Sequence, residues 1–145
     1  MRVLITSGGT TEKIDEVRGI SNFATGRLGT QIAETFLAAG HHVIMLAGYG
    51  AILPKATKNL TLIFISDVAH LMQRLKEWLP QVDLVIHSMA VSDYHPLYMT
   101  GLSNLPDSLS TDQLIHFSPE SDKKISSNDD YQIMLLEKTP KVIRF

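Results

Sequence analysis

Two glycine clusters, Gly8-Gly9 and Gly26-x-x-Gly29, follow the apolar run Val3-Leu4-Ile5, with sixteen residues between them. Glycine lets backbone N–H groups close around an anion, and a helix that starts at such a loop adds its dipole. The N–H groups of Gly8, Gly9 and Gly26, the hydroxyls of Thr10 and Thr25 and the guanidinium of Arg18 all suit phosphate oxygens. Spacing excludes two common phosphate sites. A dinucleotide turn needs G-x-G-x-x-G in one tight bend and an acidic residue closing the second strand, where this chain reads Ala47-Gly48. A Walker loop needs Gly-Lys-Ser/Thr, which follows neither cluster. A short-chain NAD(P)-dependent oxidoreductase would need Tyr-x-x-x-Lys, and none of Tyr49, Tyr94, Tyr98 and Tyr131 has a lysine four positions on. An anion site with two separate grips remains, against the plainer reading of a long structural loop.

Other chemistries are bounded by residue counts. The chain has no cysteine, so disulfides, thiolate metal sites and thiol nucleophiles are absent. Its six histidines are scattered, with no HExxH or i,i+4 pair, and a structural metal site is not expected. By residue type alone, Asn22 reads as a helix N-terminal cap. By residue type alone, Asp93, in "AVSDYHP", reads as a strand-end turn residue.

The elements that must position these groups alternate along the chain. Val3–Thr6, Val43–Ala47, Thr61–Ile65 and Asp83–His87 are continuous apolar strands. Between them, residues 27–39 carry Leu28, Ile32, Ala33, Phe36 and Leu37 on one helical face and end at Gly40. A second helix follows the cap Ser66-Asp67, with Val68, Leu71, Met72, Leu75 and Trp78 on one face, and stops at Pro80. The order β-α-β-β-α-β predicts an α/β, Rossmann-like parallel sheet with helices on both faces. Residues 97–130, rich in Ser, Asp, Asn, Gly and Pro, read as a long lid-like loop. Pattern returns as a strand at 131–136, and a helix is expected to begin after Pro140.

Composition sets the frame. At 145 residues the chain is one domain, spanning 1–145, with 44% hydrophobic and 19% charged residues. A net charge of −2 gives no field for nucleic acid or an anionic membrane. No stretch approaches the roughly 18 apolar residues of a membrane span. Cytoplasm is the default expectation.

"TSGGTTEKIDEVRGISNFATGRLG", "AVSDYHP" and "KKISS…LLEKTPKVI" together resemble the phosphopantothenate–cysteine ligases. That family carries a Gly-Gly-Thr turn, then Asp-x-Val-Arg-x-Ile-Ser-Asn and Ser-Gly-[Lys/Arg]-x-Gly. Ala-Val-x-Asp-[Tyr/Trp]-x-Pro follows its fourth strand, and a Lys-Ile segment and a helix start come later. The matches fall in the same order and span nearly the whole chain.

The resemblance implies a ligase of coenzyme A biosynthesis that joins 4′-phosphopantothenate to L-cysteine through an acyl-nucleotidylate. CTP or ATP is the co-substrate, with Mg²⁺ held largely by phosphates, and the assembly is a homodimer. It implies catalytic roles for Lys124 and for Asn22, whose amide can donate to a developing oxyanion without adding charge, and phosphopantothenate contacts at Arg18, Asn22 and Ala90. Nucleotide contacts are implied at Gly8, Gly9, Thr10, Thr25, Gly26, Asp93, Lys124 and the segment Pro140, Lys141, Val142, Ile143. Lys123, beside Lys124, competes for the triphosphate role. Lys124-Ile125-Ser126-Ser127 stands where many bacterial members carry Lys-Ile-Lys-Lys, which leaves CTP and ATP both open. Beginning on the ligase motif, the chain reads as a standalone form. The family domain runs on beyond residue 145, so the chain also reads as truncated, and a non-catalytic nucleotide-binding fragment is a further alternative.

Overall fold

The computed structural model describes residues 1–119 and 125–144. Strands β1 (Arg2–Ser7), β4 (His42–Gly48), β5 (Leu60–Ile65) and β6 (Leu84–His87) form one sheet in the order β5-β4-β1-β6, parallel throughout. Alternation along the two central strands sends side chains to opposite faces. Val3, Ile5, Val43, Met45 and Ala47 meet Ala33 of α1 (Arg27–Ala38), while Leu4, Ile44, Leu46 and Ile65 meet Val68, Leu71 and Leu75 of α2 (Val68–Trp78). Each aliphatic side chain buried this fully contributes about 1.5–3 kcal/mol. Both faces of the sheet are covered by helix, as the strand pattern predicts.

Local signals set the helix ends. Gly40, at φ 81°, closes α1: its N–H donates to Leu37 and the N–H of His41 to Phe36, the paired bonds of a Schellman turn. Asp67 caps α2 by accepting from the N–H of His70 at 2.8 Å. A second acceptor comes from far along the chain. Glu12, on the short strand β2 (Thr11–Lys13), accepts the Val68 N–H at 2.9 Å. β2 pairs antiparallel with β3 (Gly19–Ser21), so the segment between the glycine clusters is a small hairpin.

The C-terminal part departs from a single long loop over 97–130. β7 (Tyr94–Gly101) runs antiparallel to β8 (Gln132–Lys138), with a register shift between Pro96 and Tyr98. Between them α3 (Thr111–His116) opens on a capping box of Ser110 and Gln113. The Tyr98 hydroxyl reaches the Leu114 carbonyl at 2.5 Å, and its ring lies 5.5 Å from that of Phe117. The strand was hidden because its partner lies some thirty residues away and half its residues are polar or exposed. After Pro140 the described residues form a 3-10 turn, Val142–Arg144, in place of the expected helix start, and Val142 packs into the α2-side core.

Candidate functional site

The two glycine clusters meet in space. The Gly8–Thr10 turn leaves β1 and is laced to the segment after β6: Thr10 N–H donates to the Ala90 carbonyl at 3.1 Å, and Ala90 N–H to that of Gly8 at 2.8 Å. The returning hairpin closes over this turn, with Asn22 N–H on the Thr10 carbonyl. A Cβ on Gly9 would lie 2.7 Å from the Asn22 carbonyl oxygen, one on Gly29 2.3 Å from Ser7 Oγ, and one on Gly48 2.1 Å from the Gly9 carbonyl oxygen. The last contact explains why no acidic residue ends the second strand. There is no room for any side chain.

Asn22 is not a helix cap, since Gly26 holds that position in left-handed backbone (φ 73°). Its Nδ2 donates to the Ala90 carbonyl at 3.2 Å and to Ser92 Oγ at 3.3 Å. A carbonyl can only accept, which orients the amide and engages both its N–H groups. What Asn22 offers a ligand in this arrangement is Oδ1, an acceptor. Donation to an oxyanion would require trading one of those two bonds.

Thr10, expected at a phosphate, is wholly buried, and its hydroxyl is held by Ser92: it accepts the Ser92 N–H at 2.9 Å and lies 3.0 Å from Ser92 Oγ. It ties two loops together and does not face an anion. Thr25 is exposed, and its oxygen lies 3.4 Å from the Arg27 N–H. Helix α1 has no side-chain cap and no acidic residue in its first turn, so its N-terminal N–H groups and dipole favour an anion.

Arg18 pairs with Asp15 through Nη2 at 2.6 Å and Nε at 3.0 Å, and its Nη2 also donates to the Ile125 carbonyl at 3.1 Å. The Ile125 N–H lies 3.3 Å from the same Asp15 oxygen. This guanidinium, with its backbone hydrogen bonds, holds the Asp15 carboxyl well below the usual carboxylate range. Burial pushes Glu12 the other way, above it. Lys123 and Lys124 lie outside the described residues.

Asp93 is tied to the last turn of the chain. Lys141 Nζ meets its Oδ1 at 2.5 Å, and this ammonium lowers the Asp93 carboxyl. Thr139 bridges the same strands, its N–H on the Asp93 carbonyl at 2.9 Å and its hydroxyl on that of Ser92 at 2.5 Å. A cavity of about 180 Å³ opens here, lined by His87, Val91–Asp93 and Pro140–Ile143. Ser92, Thr139, Glu12 and Asp15 were not singled out in the sequence. Ser92 sits at the variable position of one recognised motif and Asp15 at the first position of another; Glu12, Asp15 and Thr139 act through contacts 47 or more residues apart in the chain. Among the described residues no group of three or more His, Cys, Asp or Glu could hold a metal ion. No helix among them is long and apolar enough to cross a membrane.

The family model for the DNA/pantothenate metabolism flavoprotein C-terminal domain matches residues 1–101, and the chain belongs to that family. A crystal structure of the DNA/pantothenate metabolism flavoprotein from Streptococcus pneumoniae superposes with a TM-score of 0.90 at 42% identity, over 99% of this chain and 62% of that one. The coenzyme A biosynthesis bifunctional protein CoaBC of Methanocaldococcus jannaschii is 36% identical over 93 residues, 64% of this chain and 22% of that protein. A Cab2 mutant solved in complex with phosphopantothenate-cysteine shares the fold, with a TM-score of 0.67 at 24% identity over 99% of this chain and 58% of that one. The chain thus spans under two thirds of the pneumococcal chain and about a fifth of the curated relative.

Proposed function

We propose that this chain carries the nucleotide and phosphopantothenate sites of a phosphopantothenate–cysteine ligase, acting in the cytoplasm as a homodimer. In the first half-reaction a carboxylate oxygen of 4′-phosphopantothenate attacks the α-phosphorus of CTP or ATP and pyrophosphate leaves. In the second, the cysteine amine attacks the acyl carbon, the nucleoside monophosphate leaves, and the amine gives up a proton as the amide forms. The uncapped α1 N-terminus with Gly8, Gly9, Thr25 and Gly26 receives phosphate oxygens. The cavity between Asp93 and Pro140–Ile143 receives part of the nucleotide. Lys124 neutralises the triphosphate as pyrophosphate departs, and Arg18 and Ala90 face phosphopantothenate. Mg²⁺ would be held largely by the substrate phosphates and would neutralise their charge. The segment between β7 and β8 closes over the reactants as a lid. Phe23, fully exposed beside Asn22, supports a partner subunit near the site.

One observation carries this reading: Asn22, Ala90, Ser92, Asp93 and the 139–143 turn form a single hydrogen-bonded assembly around the glycine turn. Pyrophosphate release with 4′-phosphopantothenate and each nucleotide, before and after adding cysteine, tests it. Asn22→Asp would set a carboxylate oxygen against the Ala90 carbonyl in place of a donor. Asn22 is assigned to the cysteine step, so this variant should release pyrophosphate once and stall before that step. Normal cysteine-dependent turnover by this variant refutes the role given to Asn22. Saturable nucleotide binding without pyrophosphate release would favour the non-catalytic fragment instead. The NAD(P) alternative is disfavoured by Gly48, which leaves no space for a ribose-binding carboxylate.

A further inference from the structure

We propose that His87 reads the nucleobase of the bound nucleotide, presenting its imidazole Nε2–H as a neutral hydrogen-bond donor to a lone pair on the base. The proposal rests on the ligase reading for the presence of a nucleotide, and on a hydrogen-bond count for the rest.

His87 ends β6 and forms part of the wall of the cavity shared with Val91–Asp93 and Pro140–Ile143. Its Nδ1 lies 2.7 Å from Thr6 Oγ1. That hydroxyl already accepts the Met89 N–H at 3.2 Å and shares the Ser88 N–H, at 3.1 Å, with its own carbonyl. Both lone pairs of the oxygen are therefore in use, and its single hydrogen is what remains for the ring. Thr6 donates, His87 Nδ1 accepts, and the proton of the neutral ring must sit on Nε2. Charging the ring would place a hydrogen on Nδ1 against the Thr6 O–H. Burial of the ring, which lowers its tendency to protonate, acts in the same direction. Nε2 has no hydrogen-bond partner among the described residues.

The cavity decides what Nε2–H meets. At about 180 Å³ it is smaller than the roughly 300 Å³ and upward of pockets that enclose whole small molecules. It fits one part of a ligand. Val91, Pro140 and Val142 supply apolar surface suited to the face of a planar ring. Among the described residues lining it, the one cation, Lys141, is already paired with Asp93, whose carboxylate disfavours phosphate oxygens. An uncharged donor beside an apolar wall matches a base carbonyl or ring nitrogen.

Titration calorimetry of wild type, His87→Phe and His87→Gln with CTP, ATP and inorganic tripolyphosphate tests this. Replacing the donor with phenyl should weaken the preferred nucleotide by about three- to tenfold, the worth of one net hydrogen bond. Gln, which keeps an N–H, should recover most of the loss, and tripolyphosphate should bind all three proteins alike. Nitrogen-15 NMR of the wild type should show the neutral Nε2–H tautomer near pH 7, with that nitrogen shifted on nucleotide binding. Equal nucleotide affinity in wild type and His87→Phe overturns the assignment, as does an Nδ1–H tautomer. Parallel weakening of tripolyphosphate overturns the base in favour of a phosphate. Failure of the wild type to bind either nucleotide overturns the ligase reading itself, and this assignment with it.

Discussion

Gly9→Ala isolates the contact between the glycine turn and Asn22. Gly9 does not occupy left-handed backbone, so alanine there adds steric overlap without torsional strain. The new methyl would sit 2.7 Å from the Asn22 carbonyl oxygen and 3.2 Å from its Cβ, whereas ordinary contact begins near 3.4 Å. The Asn22 backbone must therefore retreat by about 0.7 Å, the shortfall between those two distances. Its Nδ2 bonds, at 3.2 and 3.3 Å, stand at the long end of the useful range and would both fail. Overpacking of this kind costs about 1–3 kcal/mol in stability. The larger effect is on chemistry, because a displacement near 1 Å of a reacting group can cost about a hundredfold in rate. Urea unfolding should show a folded, weakened protein. Single-turnover assays should show pyrophosphate release largely kept and the cysteine step slowed by about tenfold or more. Combined with Asn22→Ala, the second effect should be far less than additive, since both changes remove one placement. A Gly9→Ala protein with wild-type stability and wild-type cysteine-dependent turnover would refute the packing argument.

Gly48→Asp, which would install the acidic residue of a dinucleotide fold, should cost about 3 kcal/mol or more, because its Cβ would fall 2.1 Å from the Gly9 carbonyl oxygen; thermal unfolding checks the stability, and NADPH titration should show no binding gained. Glu12 titrates higher folded than unfolded, so the folded state holds its proton more tightly. The group's contribution is present at low pH and lost as pH rises from the ordinary carboxyl value, about 4.3, through the raised folded one. Glu12→Gln should therefore be at least as stable as wild type at pH 7 and flatten that part of the stability profile. Glu12→Leu strands the Val68 N–H and should cost about 1–3 kcal/mol by urea unfolding.

The parallel sheet and both of its helices were legible because their signals are local. Val3-Leu4-Ile5, Gly40 and Asp67 each act within a few residues of themselves, through periodicity, a left-handed glycine or a cap. β7 was missed for the opposite reason: its pairing with β8 is long-range, and Leu97-Tyr98-Met99-Thr100 alternates without being apolar enough to declare a buried strand. In the candidate site, Asn22 and Asp93 were singled out because they stand inside recognisable motifs. Asp15 opens the same motif that ends on Asn22, but it was given no role of its own. Its weight comes from contacts that only folding creates, with Arg18 on one side and the backbone of Ile125, a hundred and ten residues on, at the other.

The glycines changed meaning most. Read along the chain, Gly8, Gly9 and Gly26 suit an anion, and Gly48 only marks a missing carboxylate. In space, Gly9, Gly29 and Gly48 are filled against Asn22, Ser7 and Gly9 respectively, so a side chain is excluded by protein and not by ligand. What they provide is close approach: Gly48 lets β4 lie against the glycine turn, and Gly9 lets the β2–β3 hairpin fold back over it. The sixteen residues between the clusters are then the length of chain needed to go out as a hairpin, cap α2 through Glu12, take hold of Ile125 through Asp15 and return with Asn22 beside Ala90. A shorter connection could make one phosphate turn, but it could not bring an amide from one loop onto the backbone of another. Under the proposed ligase function, which assigns Asn22 to the second half-reaction, the separation of the clusters serves that step more than the first.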